Sequence, residues 1–322
     1  MITIQQITDE LSRHVSDPVQ KYIFVKEIKK AEPSSADYIN AYEQMKQSKH
    51  YRELADEQWE NGSWGRFHTQ DTKAEKKQKF ATTESALCRA KELSLSKNDT
   101  VIAKCIKLME RYVRGEETWM DWVEKHKDGG KGHMFARPYM TAARINMFDP
   151  ENPFIQPLKN NVVKMFETTS KSNFLHDNKW EKGTDEYYLF HGASPAAYSA
   201  LLLQNSNCMD DGLQRQFIEY LWNKEDGIYY ISSVPPVDKR HVEDKMFLQW
   251  LATLELLSGF SLFPEFMESE NCTHLLKEVE RLFNTKIDLT HIKTSKYADN
   301  WRIQNKRKTD LVLRIARILV KC

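Results

Sequence analysis

Several stretches of this chain carry side chains that can move protons or hold an anion. His68 and Asp71 lie three residues apart. Tyr187 and His191 lie four apart. Arg240, His241, Glu243 and Asp244 fall within five residues, and Arg137, Trp301 and Arg302 complete the set. Imidazoles and carboxylates on different loops are the groups of general acid–base catalysis. An arginine fork matches a carboxylate or phosphate, and Tyr and Trp offer an apolar face with a polar tip. We therefore read His68, Asp71, His191, His241, Glu243 and Asp244 as candidate catalytic residues. Arg137, Tyr187, Arg240, Trp301 and Arg302 are candidate substrate-binding residues. Thr83, Glu84 and His133 stand close to these positions in sequence.

Motifs that would name a reaction directly are missing. The chain has no Walker-type phosphate loop, no G-x-G-x-x-G, no G-x-S-x-G and no H-E-x-x-H. His191 and Ser194 are close in sequence, but Ser194-Pro195 is better explained as a helix N-cap followed by proline at the first helical position. No cysteine pairs at metal-ligand spacing with a histidine, so no metal ligand set and no cofactor is read from the sequence.

Residues so far apart need a fold to gather them. Apolar residues recur at helical spacing along almost the whole chain. Ala86, Leu87, Ala90 and Leu93 mark one helix, and Val101, Ile102, Cys105, Ile106, Met109 and Tyr112 the next. Ile155 to Phe166, Ala196 to Leu202 and Leu213 to Trp222 continue the pattern. Met246 to Leu257 is apolar nearly all round, as expected of a helix covered on both sides. Only Ile228 to Val234 suggests a short strand. Aromatic turns at Trp64, Trp119, Trp180 and Tyr229 recur at the length of a helix pair with its loops.

The organising stretch is Gln58-Trp59-Glu60-Asn61-Gly62-Ser63-Trp64-Gly65. Asn-Gly tolerates positive φ and marks a turn. The glutamine is expected to cap carbonyls at a helix C-terminus while a tryptophan packs on the next helix. Gln58, Gly62, Ser63 and Trp64 resemble the QW motif of the terpenoid cyclase and protein prenyltransferase superfamily. The helix pair that follows, begun at Thr82-Thr83, strengthens the likeness, which is close over residues 58 to 119. It implies an all-α fold, an α/α toroid of about five or six helix pairs. An open helical solenoid is the alternative that the same periodicity allows.

In a closed toroid the inner helices share a polarity, so their N-termini and preceding loops gather at one mouth. That is where the candidate residues above would meet. The superfamily's own catalytic signatures do not carry over. Cys208-Met209-Asp210-Asp211 has Cys where the cyclase acid motif begins with Asp, and no Asp-x-Cys matches the prenyltransferase zinc ligands. The resemblance thus implies a fold without assigning a reaction.

The chain has 322 residues, 47 Lys plus Arg against 46 Asp plus Glu, and five cysteines. That balance gives no support for nucleic-acid binding, and no apolar run is long enough for a membrane span. The odd cysteine count speaks against a disulfide framework. We expect a soluble cytoplasmic protein, one α/α domain over 1–322 with residues 1–35 as an N-terminal helical extension. Three functions compete: an enzyme acting on a small or lipid-like, isoprenoid-type substrate in a central cavity, a non-enzymatic ligand-binding or protein-interaction scaffold, and a carbohydrate-active lyase or hydrolase.

Overall fold

Helical spacing of apolar residues, ended by caps and turns, produces a chain of helices. In a computed structural model the described residues are 2–68, 78–118, 131–171, 193–228, 231–292 and 296–322. Among them every regular element is helical. The strand expected over 228–234 is reduced to one bridge between Ile228 and Ser232. Gly227 turns at φ +69°, and a Cβ there would lie 2.3 Å from the Ser232 carbonyl oxygen, so Ser232 is brought back against Gly227. No helix among the described residues is long and apolar enough to cross a membrane.

The chain divides into two compact units. The first comprises Met1–Glu53, Asp238–Ser258 and Phe263–Cys322, and the second Leu54–Val237 with Gly259–Leu262. The boundary falls inside helix α4, Lys49–Glu57.

The first unit holds α1 (Ile4–His14), α2 (Pro18–Ile23, running on into a π turn over Phe24–Ile28) and α3 (Ala36–Lys46). Its later helices are α11 (Phe247–Leu257), α12 (Phe263–Asn284) and α13 (Gln304–Leu319). Thr3 and Gln6 start α1 with a reciprocal capping box. The centre is α13, which packs on α1, α2, α11 and α12 and is buried from Thr309 almost without interruption to Leu319. The first helices are thus packed into this unit. Polar ties fix the register of α13. Asp310 takes the Gln20 amide at 2.7 Å and the backbone N–H of Tyr297 at 3.0 Å, Arg317 pairs with Glu27 at 2.6 Å, and Arg314 donates to Glu255 at 2.7 Å. As its apolar sequence suggests, α11 is buried along most of its surface: Phe247, Trp250, Leu251, Leu254 and Leu257 are fully enclosed.

The second unit holds α5 (Thr83–Glu92), α6 (Thr100–Val113), α7 (Lys131–Asn146), α8 (Gln156–Lys171), α9 (Ala193–Leu203) and α10 (Asp211–Trp222). Helix α7 packs on α6, α8 and α9, and α8 also on α9 and α10. Phe166 of α8 meets Phe217 of α10 edge to face at 4.9 Å. The Asn146 amide donates to the carbonyls of Leu201 and Gln204, both at 2.8 Å, covering carbonyls that the end of α9 leaves without helical partners.

The turn at Gln58–Gly65 is tight, with Gly62 at φ +97° and Gly65 at φ +81°. A Cβ on Gly62 would lie 2.7 Å from the Lys104 carbonyl oxygen, so glycine is needed for both space and φ. The roles of its two signature residues are exchanged relative to expectation. The fully buried Trp64 donates its indole N–H to the Leu54 carbonyl in the last turn of α4, at 2.7 Å. Gln58 instead donates to the carbonyls of Gly62 at 2.9 Å and Val101 at 2.7 Å, the latter in the first turn of α6. A tryptophan inserted this deeply must find an acceptor, and here it is a carbonyl at a helix C-terminus, the kind of group the glutamine is expected to cover.

Candidate functional site

The turn positions a polar cluster in the second unit. After Trp64 the chain runs beside the start of α5. The backbone N–H groups of Thr83 and Glu84 donate to the carbonyls of Arg66 at 2.8 Å and Phe67 at 3.1 Å, and Trp64 N–H donates to the Thr83 hydroxyl at 3.0 Å. Thr82 caps α5 in a box with Ser85. This backbone stitching fixes His68 against the first turn of α5, where Glu84 also has the helix's positive end in its favour.

Glu84 is the hub. Its Oε2 is 2.5 Å from His68 Nδ1. Its Oε1 accepts from Arg144 Nε at 2.9 Å and from the Tyr198 hydroxyl at 2.9 Å. The Tyr198 hydroxyl is also 3.3 Å from His68 Nδ1. Arg144 reaches in from α7 with its guanidinium over the Tyr198 ring at 5.5 Å, and donates onward to Cys88 Sγ and Met147 Sδ. Burial would raise the pKa of Glu84, but the charge of Arg144 and the bond from His68 outweigh it and lower it from 4.5 to about 2. The carboxylate is therefore ionised across the neutral range. Glu84 and Arg144 side chains are each 9 % exposed, whereas His68 keeps 17 %.

A second cluster sits in the first unit. His241, in the loop before α11, places Nδ1 2.8 Å from Glu278 Oε1 on α12. Glu278, 1 % exposed, also accepts from Val242 N–H at 2.9 Å and from Arg281 at 2.8 and 3.0 Å. Burial raises its pKa, and these three donors together bring it below the usual carboxylate range. Arg281 pairs in addition with Glu243. His274, also on α12, donates Nε2–H to the Arg240 carbonyl at 2.7 Å, and its ring lies 5.0 Å from that of His241.

Among the sequence-derived candidates, His68 enters the first cluster and His241 and Glu243 the second. Arg240 and Asp244 pair with each other at 3.3 Å. The Trp301 ring has Lys296 at 4.3 Å and Arg307 at 5.0 Å, and the Arg302 carbonyl accepts from Arg307 at 2.8 Å while its own side chain is exposed. Arg137 is buried two turns before Arg144 on α7, on the same face of that helix. Asp71, Tyr187 and His191 lie outside the described residues. His68 and the 240–244 group belong to different units.

Sequence reading missed Arg144, Tyr198, His274 and Glu278 as site members. Arg144 and Tyr198 carry no local signal, since their partner Glu84 is 60 and 114 residues away. His274 and Glu278 do carry one: i, i+4 spacing places both on one helix face. No protein-family model, no curated protein and no solved structure matches this chain.

Proposed function

We propose that this chain is an acid–base enzyme of the terpenoid cyclase-like, α/α-toroid class, acting on a small or lipid-like substrate. The observation that carries the reading is the His68–Glu84 pair, an imidazole bonded through Nδ1 to a buried carboxylate and still partly open to solvent. Glu84 holds the Nδ1–H tautomer, which puts the basic lone pair on Nε2. When Nε2 takes a proton from substrate, the ionised Glu84 stabilises the imidazolium. Arg144 keeps Glu84 charged, so the proton rests on His68, which then returns it as the acid. Tyr198 donates to Glu84 and restrains the dyad, and is a positioning residue with Arg144.

The finer architecture is part of the proposal: successive helix pairs closing into a ring whose inner helices present their N-termini to a shared mouth. Its support is the QW-like turn and, inside the second unit, the packing of α9 on α7 and of α10 on α8, each one helix pair apart.

The test compares wild type with H68A, a substitution at a half-buried position. Full-length protein is incubated with a small-molecule and lipid extract and followed by untargeted mass spectrometry, alongside native mass spectrometry of both proteins. The expected result is a compound consumed by wild type and not by H68A, with H68A retaining it bound. No wild-type-dependent change, with both proteins ligand-free, overturns the proposal.

A further inference from the structure

We propose that His241, His274 and Glu278 form a binding site for a divalent transition cation of the zinc type. This site uses none of the residues of the acid–base proposal and does not depend on it. One donor atom from each residue lies within 4.8 Å of the others. Two imidazole nitrogens and one carboxylate oxygen are a ligand set suited to zinc and its neighbours, and unsuited to calcium or magnesium, which take mainly oxygen.

The supporting bonds orient each ligand. A carbonyl can only accept, so the 2.7 Å contact of His274 Nε2 with the Arg240 oxygen places the proton on Nε2. The lone pair is then on Nδ1. This is the outer-shell arrangement that fixes a ligand's tautomer and ring direction. The Val242 N–H anchors Glu278 through Oε2. Trp250 packs edge-on against His274 at 5.6 Å and gives the site an apolar wall. His241 is 67 % exposed, so its ring has room to turn from its present bond with Glu278, which is the adjustment needed to bring donors to the spacing of about 3.3 Å that bonds of about 2.0 to 2.2 Å require.

The nearest opposing charge is Arg281, which now shares Glu278. It already pairs with Glu243. It can therefore stay neutralised when Glu278 Oε1 turns to a cation. Three protein ligands leave at least one coordination position for water or an incoming anion, as in zinc sites that take part in chemistry.

The test is titration of chelator-treated, full-length protein with cobalt(II) chloride, followed by visible absorption, with zinc chloride as competitor. One equivalent is expected, giving ligand-field bands without the intense near-ultraviolet charge transfer of a thiolate–cobalt bond. H241A, at an exposed position, is expected to weaken binding tenfold or more without changing the melting curve, and H274A to weaken binding at least as much. A thiolate band, affinity unchanged in both variants, or no ligand-field spectrum at millimolar cobalt overturns the proposal.

Discussion

Two buried glutamates, Glu84 in one unit and Glu278 in the other, each take an imidazole Nδ1 and an arginine, and they end in opposite settings. Around Glu84 the arginine is itself buried, a tyrosine hydroxyl adds a further donor, and His68 is the most exposed of the four. Around Glu278 the arginine is 39 % exposed and shared with another acid, and the other neighbour is a second histidine. The same three residue types thus give a closed, buried network of hydrogen bonds in one unit and a more open one, edged by two imidazoles, in the other. What differs is the depth of the arginine, because a charge removed from water has no substitute for its partner.

Removing that arginine separates the two most sharply. R144L removes the buried cation beside Glu84 and is expected to destabilise the second unit by about 3–5 kcal/mol, whereas R281L, whose guanidinium lies nearer solvent, is expected to cost less, about 1 kcal/mol. Urea unfolding of both variants checks this, and equal losses would erase the distinction. Acid sensitivity is the next effect. Glu84 has a folded pKa of about 2 against an ordinary 4.5, so its contribution is fully present above pH 4.5 and is lost as pH falls toward 2. Its size is roughly 3 kcal/mol, and melting temperature against pH should show a steeper acid limb in wild type than in E84Q. A parallel pair of curves would mean that Glu84 has another partner set. A smaller effect is expected from Y198F, which deletes one hydroxyl donor to an ionised acceptor and should cost about 1.5–3 kcal/mol by the same unfolding assay. Smallest is H241A, which should change stability by less than about 0.5 kcal/mol at its exposed position. A large loss there would make the second cluster a structural staple.

Much of the helical pattern was legible, for local reasons. Ala86, Leu87 and Ala90 are all buried on α5, as their spacing demands, and the apolar run over Phe247–Leu257 is enclosed. The Asn61-Gly62 turn falls where its φ preference places it. The exchange of duties between Gln58 and Trp64 was not legible, because it depends on how α4 and α6 approach in space. The residues 228–234 show the limit of β-branched and aromatic content as a signal: Gly227 and the return at Ser232 override it. At the site, Glu84 stands near the candidate residues in sequence, but its role follows from Arg144 and Tyr198, which reach it from other helices. His274 and Glu278 display their spacing openly, yet their partner His241 is 33 residues before His274 in the chain.

The order in which the chain is made gives the two-unit division a further meaning. Gln20 is bound by Asp310, 290 residues later. During synthesis at about 5–20 residues per second, α2 waits roughly 15 to 60 seconds for that partner. All pieces of the second unit have by then left the ribosome. The later-numbered unit is therefore the one expected to fold first, with the opening helices exposed to proteases and chaperones in the interval. A chain stopped after Leu262 and carried clear of the ribosome by a flexible linker should resist protease within helices α5 to α10 and be cut freely before Glu53.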